Sequence, residues 1–198
     1  MNTPSPIHLR AARIVTEASA PAVSLAVVMA LVGWQTTHGT VAGLLWGLLA
    51  AAVAASGPMF CILRGVRRGS VTDRHVGHRQ QRRVPLLAGL GSVCASCTLL
   101  TAAGAPRPLR ALLVAGFVGL AVSLLITHWW KMSLHTAVAG GAIAILVLVF
   151  GPVLLAAIAV LVLIGWSRVA MGDHTVAQVA AGSAIGGLTA ATTFALLQ

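Results

Sequence analysis

Carboxylates are nearly missing from this chain. Among 198 residues there are three, Glu17, Asp73 and Asp173, and charged side chains of both signs together make up only 8%. A water-soluble domain carries about 25% charged residues, because its surface has to be solvated. That shortage excludes an ordinary soluble enzyme and an intrinsically disordered chain alike. Three scattered carboxylates also give no cluster able to hold magnesium or another hard cation, so neither a metal nor any other cofactor is expected. Cysteine is equally scarce. Cys61, Cys94 and Cys97 cannot build a disulfide scaffold, and the lone Cys94-x-x-Cys97 pair has no second pair to complete a zinc site. They read instead as small buried apolar residues.

What the chain does contain is apolar sequence, 58% hydrophobic, combined with a net charge of +10. Seven apolar runs lie at residues 14–34, 40–63, 86–104, 109–128, 135–150, 152–166 and 174–197. A helix needs about 20 such residues to cross a bilayer, at 1.5 Å per residue. Their Ala, Leu, Val and Gly show no strand-like alternation, so the expected fold is all-α, a polytopic membrane helix bundle of six to seven transmembrane helices. Residues 1–13 read as a polar N-terminal tail and 14–198 as a single membrane domain. Ala18-Ser19-Ala20 has the look of a signal cleavage triplet, but the apolar run continues past it, so it is read as uncleaved. Only Gly151-Pro152 divides the fifth run from the sixth, which are either one long kinked span or two short helices in a hairpin. Gly182 and Gly186 have the spacing that lets helices approach closely, read as packing within the bundle, and the oligomeric state is left open.

Seven spans sort the cations by side. Arg10, Arg13, Arg64, Arg67, Arg68, Arg74, Arg79, Arg82, Arg83, Lys131 and Arg168 fall on the side of the N-terminus, and only Arg107 and Arg110 on the other. Lys and Arg accumulate in short cytoplasmic loops, which makes the first side cytoplasmic and the cell membrane the expected location. Part of the excess sits in a run of unusual composition, Asp73-Arg74-His75-Val76-Gly77-His78-Arg79-Gln80-Gln81-Arg82-Arg83. Arg, His and Gln together suit phosphate oxygens, which accept charge-assisted hydrogen bonds. A polytopic chain without a soluble domain is a poor platform for nucleic acid, so the expected partners are the bilayer and a lipid-borne phosphate. His135 and His174 each open a helix, behind Lys131-Met132-Ser133 and Ser167-Arg168 respectively. A helix start offers free N–H groups and the positive end of the dipole to an anion.

The segment from Ser167-Arg168 through His174 to Gln178 resembles the third signature of the type 2 phosphatidic acid phosphatase family, a membrane-bound bacterial-type member of the lipid phosphate phosphatase and vanadium haloperoxidase-like superfamily. That signature reads Ser-Arg-x5-His-x3-Asp, so Gln178 stands where the family has Asp. Met132-Ser133-Leu134-His135 is similar to the second signature, Pro-Ser-Gly-His. For the first, Lys-x6-Arg-Pro, the best register puts His75 at the Lys and Arg82 at the Arg, while Arg107-Pro108 offers the literal dipeptide on the opposite side. Together the three cover residues 73–178, about half of the chain.

The resemblance implies a metal-independent phosphatase acting on a lipid phosphate monoester or diphosphate of isoprenoid type through a phospho-histidine. It assigns His174 as nucleophile and His135 as general acid. Arg82, Arg79, His75, Lys131, Ser133 and Arg168 would bind phosphate, and Gln178 or Asp173 would orient the nucleophilic ring. Convergence of the three signatures requires an even number of spans between them, which favours the hairpin at Gly151-Pro152. Two other readings remain open: a relative that uses prenyl diphosphate chemistry to cyclise terpenes, and an anion channel or transporter without enzymatic activity.

Overall fold

The computed structural model describes residues 6–71 and 79–198, with Pro6, Arg79 and Gln80 described by backbone alone. The chain is a polytopic bundle of α-helices, as its composition implies. In order they are α1 (Pro6–Ala18), α2 (Pro21–Thr36), α3 (Val41–Arg67), α4 (Arg83–Ala102), α5 (Arg107–Trp129), α6 (Leu134–Phe150), α7 (Ile158–Ala170) and α8 (Val176–Leu197). Short 3-10 turns at Arg79–Arg82 and Pro152–Ala157 lead into α4 and α7. Five helices, counting the turn before α7 with it, are long and apolar enough to cross a membrane, and a bent pair makes a sixth. α6, at 17 residues, is shorter. Exposed apolar side chains such as Val153, Val162 and Leu188 face outward, where a membrane protein meets lipid.

The first run departs from the single span expected of residues 14–34. It is split at Ser19-Ala20, with Pro21 opening α2, and the two helices meet at 47°. Ala20 is extended at φ −52°, ψ 143°, the conformation that the following proline ring imposes on its predecessor. The expected boundary at residue 13 also gives way, since α1 begins at Pro6 and runs across it. α1 is amphipathic, burying Ala12 and Thr16 while Arg10, Arg13 and Glu17 stay exposed, and it packs on α7. At the other doubtful point the hairpin is what forms. Gly151, at φ +94°, takes a left-handed conformation that only glycine adopts easily, and Pro152 starts the return.

Close backbone contacts set the shape of the bundle. A Cβ on Gly186 would strike the carbonyl of Ala137, and one on Gly182 would meet Ser133 O and Thr136 Oγ1 at 2.6 Å, so these glycines seat α8 on α6. On α2 and α3, a Cβ at Gly33 would strike Gly43, and one at Gly47 would strike Met29, clasping the two helices at the end remote from α1. The core of Met29, Val32, Ala51, Leu100, Leu109 and Leu113 fills that remote half. The cysteines are corrected in part: Cys94 is exposed on α4, whereas Cys61 and Cys97 are half-buried and Cys97 packs against the core.

Candidate active site

Four segments remote in sequence meet at one end of the bundle: the start of α4, the α5–α6 connection, the end of α7 with its connection to α8, and α1. Each is fixed by local bonds that its sequence dictates. Ser133 caps α6, its Oγ accepting from Thr136 N at 3.5 Å. Thr175 caps α8 in a capping box with Gln178, in which Thr175 Oγ1 accepts from Gln178 N and Gln178 Oε1 accepts from Thr175 N, both at 3.3 Å. The two helix starts are tied together by Ser133 N donating to Gln178 O at 3.2 Å and Thr136 Oγ1 donating to Val179 O at 3.0 Å. His135 in the first turn of α6 and His174 just ahead of α8 are thereby held side by side at one end.

The capping box decides the state of His174. The amide of Gln178 is oriented by Thr175 N–H, which only an oxygen can accept, so Oε1 is the atom that faces His174 Nδ1 at 3.0 Å. Nδ1 therefore carries the ring hydrogen, and the lone pair lies on Nε2. Nε2 in turn faces Arg82 Nη2 at 3.5 Å. Arg82 is itself buried and anchored, with Nη1 donating to Met132 O at 2.8 Å. Burial first, then the nearby charges of Arg82 and Lys131, and last that of Arg168, push the His174 pKa from 6.5 down to about 3, against a smaller upward pull from the Gln178 hydrogen bond. His174 is thus a neutral imidazole at pH 7, with its Nε2 electron pair turned toward Arg82.

Behind these residues lies a second layer. Arg168, 1% exposed, pairs through Nη2 with Asp173 Oδ2 at 2.7 Å. Lys131 Nζ donates to the backbone carbonyl of Asp173 at 2.6 Å. Thr16 of α1, fully buried, accepts from Arg168 Nη1 at 3.4 Å and lies 3.1 Å from Ser167 Oγ, which donates to Ile164 O at 2.7 Å.

Arg82, His135 and His174 line one cavity, and the second layer does not. This cavity, about 440 Å³, runs from them into the bundle between α2, α3, α4, α5, α6 and α8, and its remaining wall is almost wholly apolar. Its exposed lining residues are Glu17 of α1 and Met59 and Leu63 of α3, so it opens on that side. A cationic, histidine-bearing head on an apolar body is a shape for an amphiphile with an anionic end.

Of the residues singled out in the sequence, Arg82, Lys131, Ser133, His135, Arg168, Asp173, His174 and Gln178 all gather here. Two roles change. Asp173 is expected to help orient His174, but its carboxylate is engaged by Arg168. Ser133 is expected to contact phosphate, yet it is 0% exposed and its hydroxyl oxygen caps α6, so it positions His135 from behind. Asp73, Arg74 and His75 lie outside the described residues, and of Arg79 only the backbone is described, in the turn that delivers Arg82. Thr16 and the cavity wall went unread in the sequence. A lone threonine in an apolar stretch gives no signal, and the wall residues are dispersed over six helices. No family model, curated protein or solved structure matches this chain.

Proposed function

We propose that the protein is a membrane phosphatase acting on a lipid phosphate, with His174 as nucleophile. The observation that carries this reading is the His174 tautomer: Gln178 holds the Nδ1 hydrogen, leaving the Nε2 lone pair beside Arg82 at the polar end of an apolar cavity. Nε2 attacks phosphorus, the P–O bond to the lipid breaks as the P–N bond forms, and His135, which gains a proton as the phosphate anion binds, gives it to the departing oxygen. Water then attacks the phospho-histidine while His135 takes up its proton, releasing phosphate and restoring both rings. Arg82 stabilises the charge on the phosphoryl oxygens, and Lys131 and Arg168 add positive potential from behind. The order and spacing of the three signatures that resemble the type 2 phosphatidic acid phosphatases support the same roles. The excess of Lys and Arg on this side supports a site at the cytoplasmic face of the cell membrane.

The test is phosphate release from lipid phosphates by detergent-purified protein with a chelator present. Release is expected to persist with chelator and to vanish in His174→Ala, with monodispersity on size exclusion as the folding control. Full activity in a folded His174→Ala protein, or no release from any lipid phosphate, overturns the proposal.

A further inference from the structure

The cavity below the histidines is blind, and its dimensions restrict what can fill it. Along α6 its lining runs from His135 to Ile145, ten residues or about 15 Å at 1.5 Å each. Along α5 it runs from Ser123 to Leu112, about 17 Å. It stops on Val28, Ala54, Val93, Leu112, Ile145 and Ala190, all of them buried members of the packed core. Since the hydrocarbon region of a bilayer is about 30 Å thick, this floor lies near mid-membrane. The volume of about 440 Å³ holds about 15 methylene-sized groups if each takes roughly the 30 Å³ of a liquid water.

The wall also carries notches. Gly116 and Gly119 line the cavity from α5 one turn apart on one face, and a Cβ built on either meets nothing within 4 Å. Most glycines that pack helices in this bundle behave differently, as Gly182 and Gly186 do, where a Cβ would hit backbone. Gly116 and Gly119 are therefore not needed for helix contact. What they leave is lateral room beside the chain axis, suited to the methyl branches of a prenyl tail.

We propose that the cavity seats a single prenyl tail of about 15 carbons, with its length limited by the floor and its branches accommodated at Gly116 and Gly119. This rests on the phosphatase reading only for the identity of the head group. Two-tailed lipids and tails of many prenyl units exceed the volume and must leave part of themselves outside, past Met59 and Leu63.

Two experiments separate the seat from the chemistry. The first measures kcat/KM for dimethylallyl, geranyl, farnesyl, geranylgeranyl and decaprenyl monophosphates and for a diacyl phosphatidate. The expected profile rises to farnesyl or geranylgeranyl and falls for decaprenyl and for phosphatidate. Gly116→Leu or Gly119→Leu should move the maximum to geranyl and lower the farnesyl-to-geranyl ratio about tenfold, the scale of overfilling a packed space. Leu188→Ala, on the outer face of α8 and away from the cavity, should leave the profile as it was. A profile flat from geranyl to decaprenyl, or one that ignores both leucines in folded protein, overturns the seat even if phosphate is released.

The second experiment uses a diazirine-tagged farnesol, which has no phosphate, and maps crosslinks in the His174→Ala protein. Crosslinks at Val28, Leu112, Ile145 or Ala190 are expected, and they would support the seat even if no substrate in the first experiment released phosphate. Crosslinks confined to outward-facing residues overturn it.

Discussion

Replacing Gln178 with aspartate should raise the pKa of His174, and by a predictable amount. In the native protein the ring is pushed from 6.5 to about 3. At about 1.4 kcal/mol per unit, this is on the order of 5 kcal/mol against the imidazolium. The partner of Nδ1 at 3.0 Å is the neutral amide oxygen of Gln178, which orients the ring but brings no charge to oppose Arg82 and Lys131. Aspartate is one methylene shorter than glutamine, so its carboxylate would sit about 5 Å from the centre of positive charge, where an effective dielectric constant of about 20 gives roughly 3 kcal/mol of attraction. Opposite charges at such distances shift pKa values by about 1–3 units, which would carry His174 from about 3 to between about 4 and 6. The residue would still be mostly neutral at pH 7, so phosphate release should be retained or increased, because a nearby carboxylate also stabilises the cation that forms on attack.

The measurement is a pH titration of isotope-labelled histidine by NMR in detergent micelles, with the His174 signal assigned by its loss in His174→Gln. A native His174 titrating near 6.5 would refute the argument from burial and nearby cations. A Gln178→Asp protein in which the signal titrates as in the native chain would refute the Nδ1 geometry. Neither outcome depends on the protein's having phosphatase activity.

Acid should destabilise the protein through the same residue. With a folded pKa of about 3 below an unfolded value of 6.5, the unfolded chain binds the proton first, so stability present above pH 6.5 is lost as pH falls toward 3. The melting temperature in detergent should drop between pH 7 and pH 4, less steeply in His174→Gln. Truncating Arg82 to alanine removes the donor beside Nε2 and strands Met132 O. Phosphate release should fall about 10²–10³-fold, the loss seen when one donor to a developing oxyanion is deleted, and Arg82→Lys should recover only part of it. Thr16→Val takes an acceptor from buried Arg168 and should cost about 1–3 kcal/mol of stability, read as a lower melting temperature.

Much of this was legible in the sequence because membrane helices announce themselves. Uninterrupted apolar runs have one solution in a bilayer, and the turns between them fall at Gly151-Pro152 and the polar loops. The histidines and cations of the site were legible because ionisable residues are rare in such a chain and cluster at one end. The break at Pro21 was missed because residues 14–34 stay apolar through it. Hydropathy reports transfer to lipid, whereas the break comes from the missing N–H and fixed φ of one ring. Asp173 was misread for a different reason. It lies beside His174 in sequence, but the turn that delivers His174 folds back so that both Asp173 N and His174 N bond to Arg168 O, which places the carboxylate on Arg168. Which neighbour a loop side chain selects is decided by that backbone path, and no local spacing rule encodes it.

The shortage of carboxylates, a mark of membrane sequence in general, acquires a specific consequence at this end of the bundle. Arg82, Lys131 and Arg168 bring three positive charges to the surroundings of His174, and Asp173 pairs with Arg168. An Asp at position 178 would add a negative charge beside the ring, whereas Gln178 adds none. A further positive charge on His174 would be costly in this cationic, low-dielectric setting, and the ring stays neutral. A phosphate monoester carries about two negative charges at neutral pH. Its binding would cancel the same potential that holds the imidazole neutral. The ring would then be an uncharged nucleophile while the anion approaches, and a tolerable cation once the anion is in place. On this argument the amide at 178 is compatible with phosphoryl transfer, because the missing negative charge would arrive with the substrate.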